Sequence, residues 1–176
     1  MQNRYRAGIS VALFFLCFLL SQNSIAEASL PKGLMKLDGR PALPLVLNNM
    51  DEETFDLSKK KGRWLFVHFW AAWCGPCRRE MPKIQAIFPK FDPAKLEIVL
   101  VNTAESEDTV FSFLGSVAPD LNPLMDTDGL VTEAWQPRGL PATFFVDPNG
   151  KLQYLALGGR DWTEPEYLDF LNKLIK

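Results

Sequence analysis

The stretch FWAAWCGPCRREMP, residues 69–82, places two of the chain's three cysteines, Cys74 and Cys77, two residues apart after aromatic and aliphatic residues. The run WLFVHFW at 64–70 is nearly continuously apolar and of strand length, which predicts a central strand buried on both faces. Apolar residues then recur at spacings of three and four, which predicts a helix over 75–88 with a proline inside that should kink it. The cysteines are therefore expected where a buried strand meets a helix.

The rest of the chain alternates between strand and helix patterns. Further predicted elements are a hairpin of 43–47 and 54–57, a strand over 96–101, a helix over 107–117, a short helical piece ending at Trp135, a hairpin of 142–146 and 152–157, and a last helix opened by a capping box at 163–166. Parallel strands followed by an antiparallel hairpin predict an α/β fold, with a mixed central sheet covered by helices on both faces.

Length and composition limit the possible classes of protein. The chain has 176 residues, 47% of them hydrophobic, which fits one domain with a sizeable core. A formal net charge of -2 lacks the basic excess of a nucleic-acid binder. We therefore expect no nucleic-acid partner.

The first 26 residues have the layout of a secretory signal peptide. Two arginines precede an uncharged apolar stretch over 11–20, and small residues follow, which predicts cleavage after residue 26 or 28. Cys17 would leave with this signal. The alternative is an N-terminal membrane anchor facing the periplasm, although the apolar run is shorter than the roughly 20 residues that span a bilayer.

The cysteine pair has the features of a reactive dithiol. At the start of a helix, free N–H groups and the helix dipole should lower the pKa of the Cys74 thiol. Cys77 lies one turn later on the same face, close enough to form a disulfide with it. Gly75 leaves room for a partner's backbone, Pro76 suits a first helical turn, and Trp73 would flank the sulfur with an apolar surface.

The spacing of the pair is compatible with three other roles. A structural disulfide closing so short a loop would restrict the unfolded chain very little. A zinc site needs two further ligands, whereas the chain offers a single histidine and no second cysteine pair. A Cu(I) site made by the two thiolates suits soft ligands and stays open as an alternative function. We otherwise expect no metal and no cofactor.

The segment FWAAWCGPC resembles the active site of the thioredoxin superfamily, and WCGPCRREMP resembles its exported TlpA/ResA branch. That branch usually carries a glutamate three residues after the second cysteine, here Glu80. GLPATFFVDPNG at 139–150 and GGRDW at 158–162 are also similar to it. The resemblance implies a thioredoxin-like domain over 42–176 with an N-terminal β-hairpin extension, preceded by a flexible lead-in over 27–41.

The same resemblance implies the remaining site residues. Pro141 should be cis and lie beside the cysteines, with the backbone of Leu140 pairing with an extended substrate segment. Glu80 should handle protons near the dithiol, the alternative being an exposed helix residue. His68 departs from the family because thioredoxins usually have a buried Asp at this place. It could accept the Cys77 proton, or it could be a satisfied core histidine without a catalytic part.

The function implied is that of a periplasmic thiol-disulfide oxidoreductase acting on protein thiols and disulfides. The resemblance implies a monomeric reductase, used in cytochrome c biogenesis or copper-site maturation. A DsbD-like or CcdA-like membrane protein would supply its electrons.

Overall fold

A six-stranded sheet organises residues 29–176, the part of the chain that the computed structural model describes. The predicted signal peptide, residues 1–26, lies outside the described residues. The strands are β1 (Leu34–Lys36), β2 (Val46–Asn48), β3 (Thr54–Asp56), β4 (Trp64–Trp70), β5 (Leu96–Thr103), β6 (Leu124–Asp126), β7 (Ala142–Val146) and β8 (Leu152–Leu157). The sheet has the order β1-β8-β7-β4-β5-β6, and β2 and β3 form a separate antiparallel hairpin. β4, β5 and β6 run parallel and the other pairs are antiparallel, which confirms the mixed sheet.

Helices cover both faces of this sheet, as predicted. They are α1 (Gly75–Ile87), α2 (Glu107–Val117), α3 (Leu130–Trp135) and α4 (Pro165–Leu174). α1, α2 and α4 contribute to one hydrophobic core, and α3 and the β2–β3 hairpin contribute to the other. Among residues 29–176, no helix is both long enough and apolar enough to cross a bilayer.

Strand β4 lies at the centre of both cores. Phe66 and Trp70 belong to the core under α1, whereas Leu65, Val67 and Phe69 belong to the core on the opposite face. Successive strand residues point to opposite faces, so a nearly continuous apolar run is what a strand buried on both sides requires. This burial confirms the prediction that residues 64–70 form a central strand buried on both faces.

Two short edge strands were missed by the sequence analysis. β1 lies within the range predicted as a flexible lead-in, where Leu34 pairs with Ala156 of β8. β6 lies between the predicted helix over 107–117 and the short helical piece ending at Trp135, where the sequence predicts no strand. A strand of three residues is too short to display an alternating pattern, and the side chains of β1 are half-buried or exposed. Backbone hydrogen bonds to a neighbouring strand therefore define these elements.

The predicted capping box of the last helix is wrong. α4 begins at Pro165, and its N-cap residue Glu164 makes no side-chain capping hydrogen bond. The hydroxyl group of Thr163 instead donates to Asp161. The Thr163 hydroxyl group that the capping box would have used is therefore hydrogen-bonded within the loop before α4. This loop contributes to the site described next.

Candidate active site

Cys74 and Cys77 lie at the junction of β4 and α1, where the sequence predicts them. Cys74 is the N-cap of α1, and the Cys77 N–H donates to Cys74 Sγ at 3.2 Å. The two residues form a disulfide with their Cα atoms 5.2 Å apart. Gly75 and Pro76 form the exposed first turn. Cys77 is fully buried whereas Cys74 keeps a 5% exposed fraction, so Cys74 is the cysteine that a partner can reach.

The backbone of Ala72, just before Trp73, is hydrogen-bonded through both its N–H and its carbonyl oxygen. The Ala72 N–H donates to Glu105 Oε2 at 2.7 Å, and the same oxygen accepts from Asn102 Nδ2 at 2.8 Å. Arg78 donates from Nη1 to the Ala72 carbonyl oxygen at 3.0 Å. Trp73 itself is 70% exposed. Sequence reasoning missed Glu105 because its partner is 33 residues away along the chain.

The Leu140–Pro141 peptide bond is cis, as the resemblance implies. It immediately precedes β7, whose first residue Ala142 pairs with Phe69 near the end of β4 that leads to Cys74. The carbonyl oxygen of Pro141 accepts a hydrogen bond from the Gly158 N–H at 2.9 Å. Within residues 29–176, the backbone of Leu140 makes no hydrogen bond. The free N–H and carbonyl groups of Leu140 therefore lie at the same end of these strands as the dithiol.

Glu80 is buried, with 2% of its surface exposed, so the alternative of an exposed helix residue is wrong. The indole N–H of Trp162 donates to Glu80 Oε1, and Oε2 has no hydrogen-bond partner among the described residues. Burial raises the pKa of Glu80 to about 8, although the Trp162 hydrogen bond, the Arg160 charge and the nearby Arg160 backbone N–H act against this rise. At neutral pH the carboxyl group therefore carries a proton when the cysteines are oxidised.

His68 is fully buried in β4 on the same face of the sheet as Phe66. Its Nδ1 lies 2.9 Å from Thr143 Oγ1, and its Nε2 has no partner among the described residues. Burial lowers the pKa of His68 to about 3, and the positive charge of Arg160 acts in the same direction. The imidazole is therefore neutral at neutral pH and is a much weaker base than the Glu80 carboxylate.

The GGRDW segment links these buried groups. Arg160 Nη2 donates to the carbonyl oxygens of Leu157 at 2.8 Å and Gly158 at 3.2 Å. Its guanidinium lies over the rings of Trp162 and Tyr167, 5.2 and 5.5 Å from their centroids. The segment is visible in the sequence as part of a resemblance, but its contacts with the site are not.

An open cleft of about 260 Å³ separates the start of α1 from this segment, and Glu80 is one of its lining residues. A Cβ atom on Gly159 would come within 3.1 Å of Pro76 Cβ and 3.2 Å of its carbonyl oxygen. Contacts this short require a neighbouring atom to move. The absence of a side chain at 159 therefore lets the segment approach the first turn of α1.

The dithiol is the soft ligand pair of this site. Elsewhere in residues 29–176, no group of three or more His, Cys, Asp or Glu side chains is arranged to hold a metal ion. The sulfur pair and the buried carboxyl group beside it are the reactive groups of this site.

A thioredoxin-like fold with a Cys-Gly-Pro-Cys disulfide at the start of a helix defines a thiol-disulfide oxidoreductase, a redox enzyme. The chain belongs to the AhpC/TSA family, which matches residues 39–155.

Individual relatives agree with this class. The chain is 34% identical over 139 residues to the thiol-disulfide oxidoreductase ResA of Bacillus subtilis (strain 168), covering 79% of this chain and 76% of the relative. It is 31% identical over 170 residues to ResA of Halalkalibacterium halodurans, covering 97% and 90%. A crystal structure of a putative thiol:disulfide interchange protein DsbE from Chlorobium tepidum superposes with a TM-score of 0.70 at 25% identity, covering 78% of this chain and 97% of that one. The TlpA/ResA resemblance is thereby confirmed.

Proposed function

We propose that this protein is exported to the periplasm and reduces disulfides in protein substrates there. The observation that carries the proposal is the pairing of a slightly accessible Cys74 with a fully buried Cys77 at the start of α1. The buried carboxyl group of Glu80, one turn further along, would exchange a proton with the second cysteine and accept it in its ionised form. The signal-peptide pattern of residues 1–26 supports export.

In the proposed reaction, the reduced protein attacks with the Cys74 thiolate. A Cys74–substrate disulfide forms, and the other substrate sulfur leaves with the electron pair and takes up a proton. Cys77 then loses its proton to Glu80 in the fraction of molecules whose carboxyl group is ionised, and attacks Cys74, which releases the reduced substrate. Glu80 suits this step better than His68, because an imidazole with a pKa of about 3 does not hold a proton at neutral pH.

Substrate binding is proposed on the exposed surface around Cys74. An extended substrate segment would pair with the free backbone of Leu140 beside Pro141, as an added strand. Trp73 would cover the reacting sulfurs with its exposed ring, and the exposed turn of Gly75 and Pro76 would leave room for the partner's backbone.

The residues between the cysteines support the reducing direction that we propose. Gly-Pro resembles thioredoxins, with potentials of about -270 mV, more than the strong oxidant DsbA at about -120 mV. A monomeric reductase would need electrons from a DsbD-like or CcdA-like membrane protein. Cytochrome c biogenesis or copper-site maturation is the use that we propose.

The test is to equilibrate the purified protein with glutathione buffers and to assay insulin reduction. We expect a potential near the thioredoxin end of the range and turnover that depends on both cysteines. A potential near that of DsbA would reject the reductase. Cys77→Ser in the exported protein should trap substrates as mixed disulfides, with Cys74→Ser as the matched control that traps none.

A second candidate is Cu(I) handling, favoured by two thiols that lie close enough to bridge. Titrating the reduced protein with Cu(I) beside the insulin assay separates the two functions. Tight one-to-one binding without reductase activity would replace our proposal.

A further inference from the structure

Trp162 is held rigidly against one oxygen of Glu80. The indole is fully buried and donates its N–H to Glu80 Oε1. Its ring packs against Phe66, Tyr167 and Phe145, with centroids 4.7, 5.4 and 6.0 Å away. These contacts come from β4, α4 and β7, so the ring cannot turn away from the carboxyl group without disturbing three elements.

The two oxygens of Glu80 are therefore not equivalent. Oε1 accepts the indole N–H, whereas Oε2 is buried without a hydrogen-bond partner in residues 29–176. A neutral carboxyl group whose one oxygen accepts a hydrogen bond places its proton on the other oxygen. Glu80 follows Cys77 by three residues on the same face of α1, and both side chains are buried. The protonated oxygen is thus the one left for Cys77.

Resting on the proposed function, we propose that Trp162 is a positioning residue for thiol-disulfide exchange, which fixes Glu80 Oε1 and reserves Oε2 for the proton exchanged with Cys77. In the resolving step, the Cys77 thiol gives its proton to Oε2 in those molecules whose Glu80 carboxyl group is ionised. The sulfur of Cys77 forms the bond to Cys74, the bond from Cys74 to the substrate breaks, and its electron pair goes to the substrate sulfur, which takes up a proton from water. When a dithiol donor reduces the disulfide, Oε2 returns its proton to Cys77.

Several charged or titratable groups lie around Glu80, and the positive charge of Arg160 opposes the rise in its pKa. They are Arg79 and Lys83 on α1, Arg160 and Asp161 on the facing segment, His68 on β4 and Tyr167 on α4. Lys83 is paired with Asp161 at 2.9 Å. Replacing the indole leaves all of these charges in the protein, so a shift in Glu80 titration on that replacement reports the lost N–H.

Trp162→Phe tests the proposal because it keeps an aromatic ring and removes the N–H. In the oxidised protein, carboxyl-carbon NMR should show the Glu80 midpoint rising by about one pH unit, since the carboxylate loses a hydrogen bond. Resolution of a mixed disulfide at pH 7, measured by stopped flow, should slow about tenfold as the carboxylate fraction falls. An unchanged midpoint would overturn the proposal.

Trp135→Phe is the matched control. This indole is also buried and donates to the Pro44 carbonyl oxygen at 3.1 Å, but it belongs to the core on the opposite face. Its loss should leave the Glu80 midpoint and the pH profile of resolution unchanged. If Trp135→Phe shifted the Glu80 midpoint as much as Trp162→Phe does, the shift would reflect a general disturbance of the core. That result would contradict the proposal.

Two further measurements keep the proposal testable if Trp162→Phe folds poorly. In the unmodified protein, the Trp162 indole proton should titrate with the same midpoint as the Glu80 carboxyl carbon, and an indole signal that is constant with pH would contradict the assignment. In a Glu80→Gln background, Trp162→Phe should cause no further change in the pH profile of resolution, and a further shift would also contradict it. The NMR titrations need only oxidised protein, so they test Trp162 even if no substrate is reduced.

Discussion

Replacing Glu80 by glutamine removes an acidic proton from the core beside the disulfide and keeps an oxygen that Trp162 can bind. Burial raises the pKa of Glu80 from its ordinary 4.5 to about 8. Between these pH values the folded oxidised protein holds a proton that the unfolded chain has released. The folded pKa lies above the unfolded one, so the stability present below pH 4.5 is lost as the pH rises through 8.

The size of this loss follows from the two pKa values. One proton held by the folded state and released by the unfolded state lowers the free energy of unfolding by about 1.4 kcal/mol per pH unit. Over the interval from 4.5 to about 8, the total is about 5 kcal/mol. The glutamine variant has no such proton, so its stability relative to wild type should increase by this amount across the interval.

Urea unfolding of the oxidised proteins at a series of pH values measures the difference between the two curves. The contribution of every other titrating group is common to both proteins and cancels. Glu166→Gln, at an exposed position of α4, is the matched control and should keep the wild-type pH dependence. Parallel curves for wild type and Glu80→Gln would show that Glu80 ionises normally and would refute this reasoning.

Three other substitutions test separate parts of the site. Burial lowers the pKa of His68 from 6.5 to about 3, so the free energy of unfolding of the wild-type protein falls as the pH falls through this interval. In acid unfolding, His68→Leu should therefore lose about 5 kcal/mol less of this free energy than wild type. An acid transition identical to that of wild type would contradict this prediction. Glu105→Ala should lower the free energy of unfolding by about 2 kcal/mol and speed hydrogen exchange of the Ala72 N–H, which donates to Glu105. Unchanged exchange would contradict a stabilising role for this hydrogen bond. Gly159→Ala should lower stability by about 2 kcal/mol in thermal unfolding, because its Cβ would crowd Pro76. Its control Gly115→Ala meets no atom within 4 Å and should cause no loss, so equal effects would reject the crowding.

Glu80 and His68 are both buried, and their pKa values shift in opposite directions for one physical reason. Removal from water disfavours the charged form, which keeps Glu80 protonated and His68 unprotonated over the same pH range. The folded protein thus holds an acid and a weak base, both neutral, on the same side of the sheet. The acid is the member of this pair with a proton to exchange near neutral pH.

The strand–helix junction and the disulfide spacing can be derived from the amino-acid sequence alone. The buried strand β4 and the helix α1 are encoded in patterns of neighbouring residues, and the spacing of Cys74 and Cys77 follows from the helical turn. Such features can be predicted from the sequence because the interactions that form them are between residues close together in the chain.

The environment of the carboxyl group was decided only by the tertiary structure. Trp162 is 82 residues from Glu80, Thr143 is 75 residues from His68, and no local pattern indicates either contact. Sequence reasoning left Glu80 as either a proton handler or an exposed charge, because the spacing on a helix does not tell which segment will cover it. Desolvation and hydrogen bonding by distant segments set the pKa of a buried group, so the proton chemistry beside the cysteines exists only once the chain is folded.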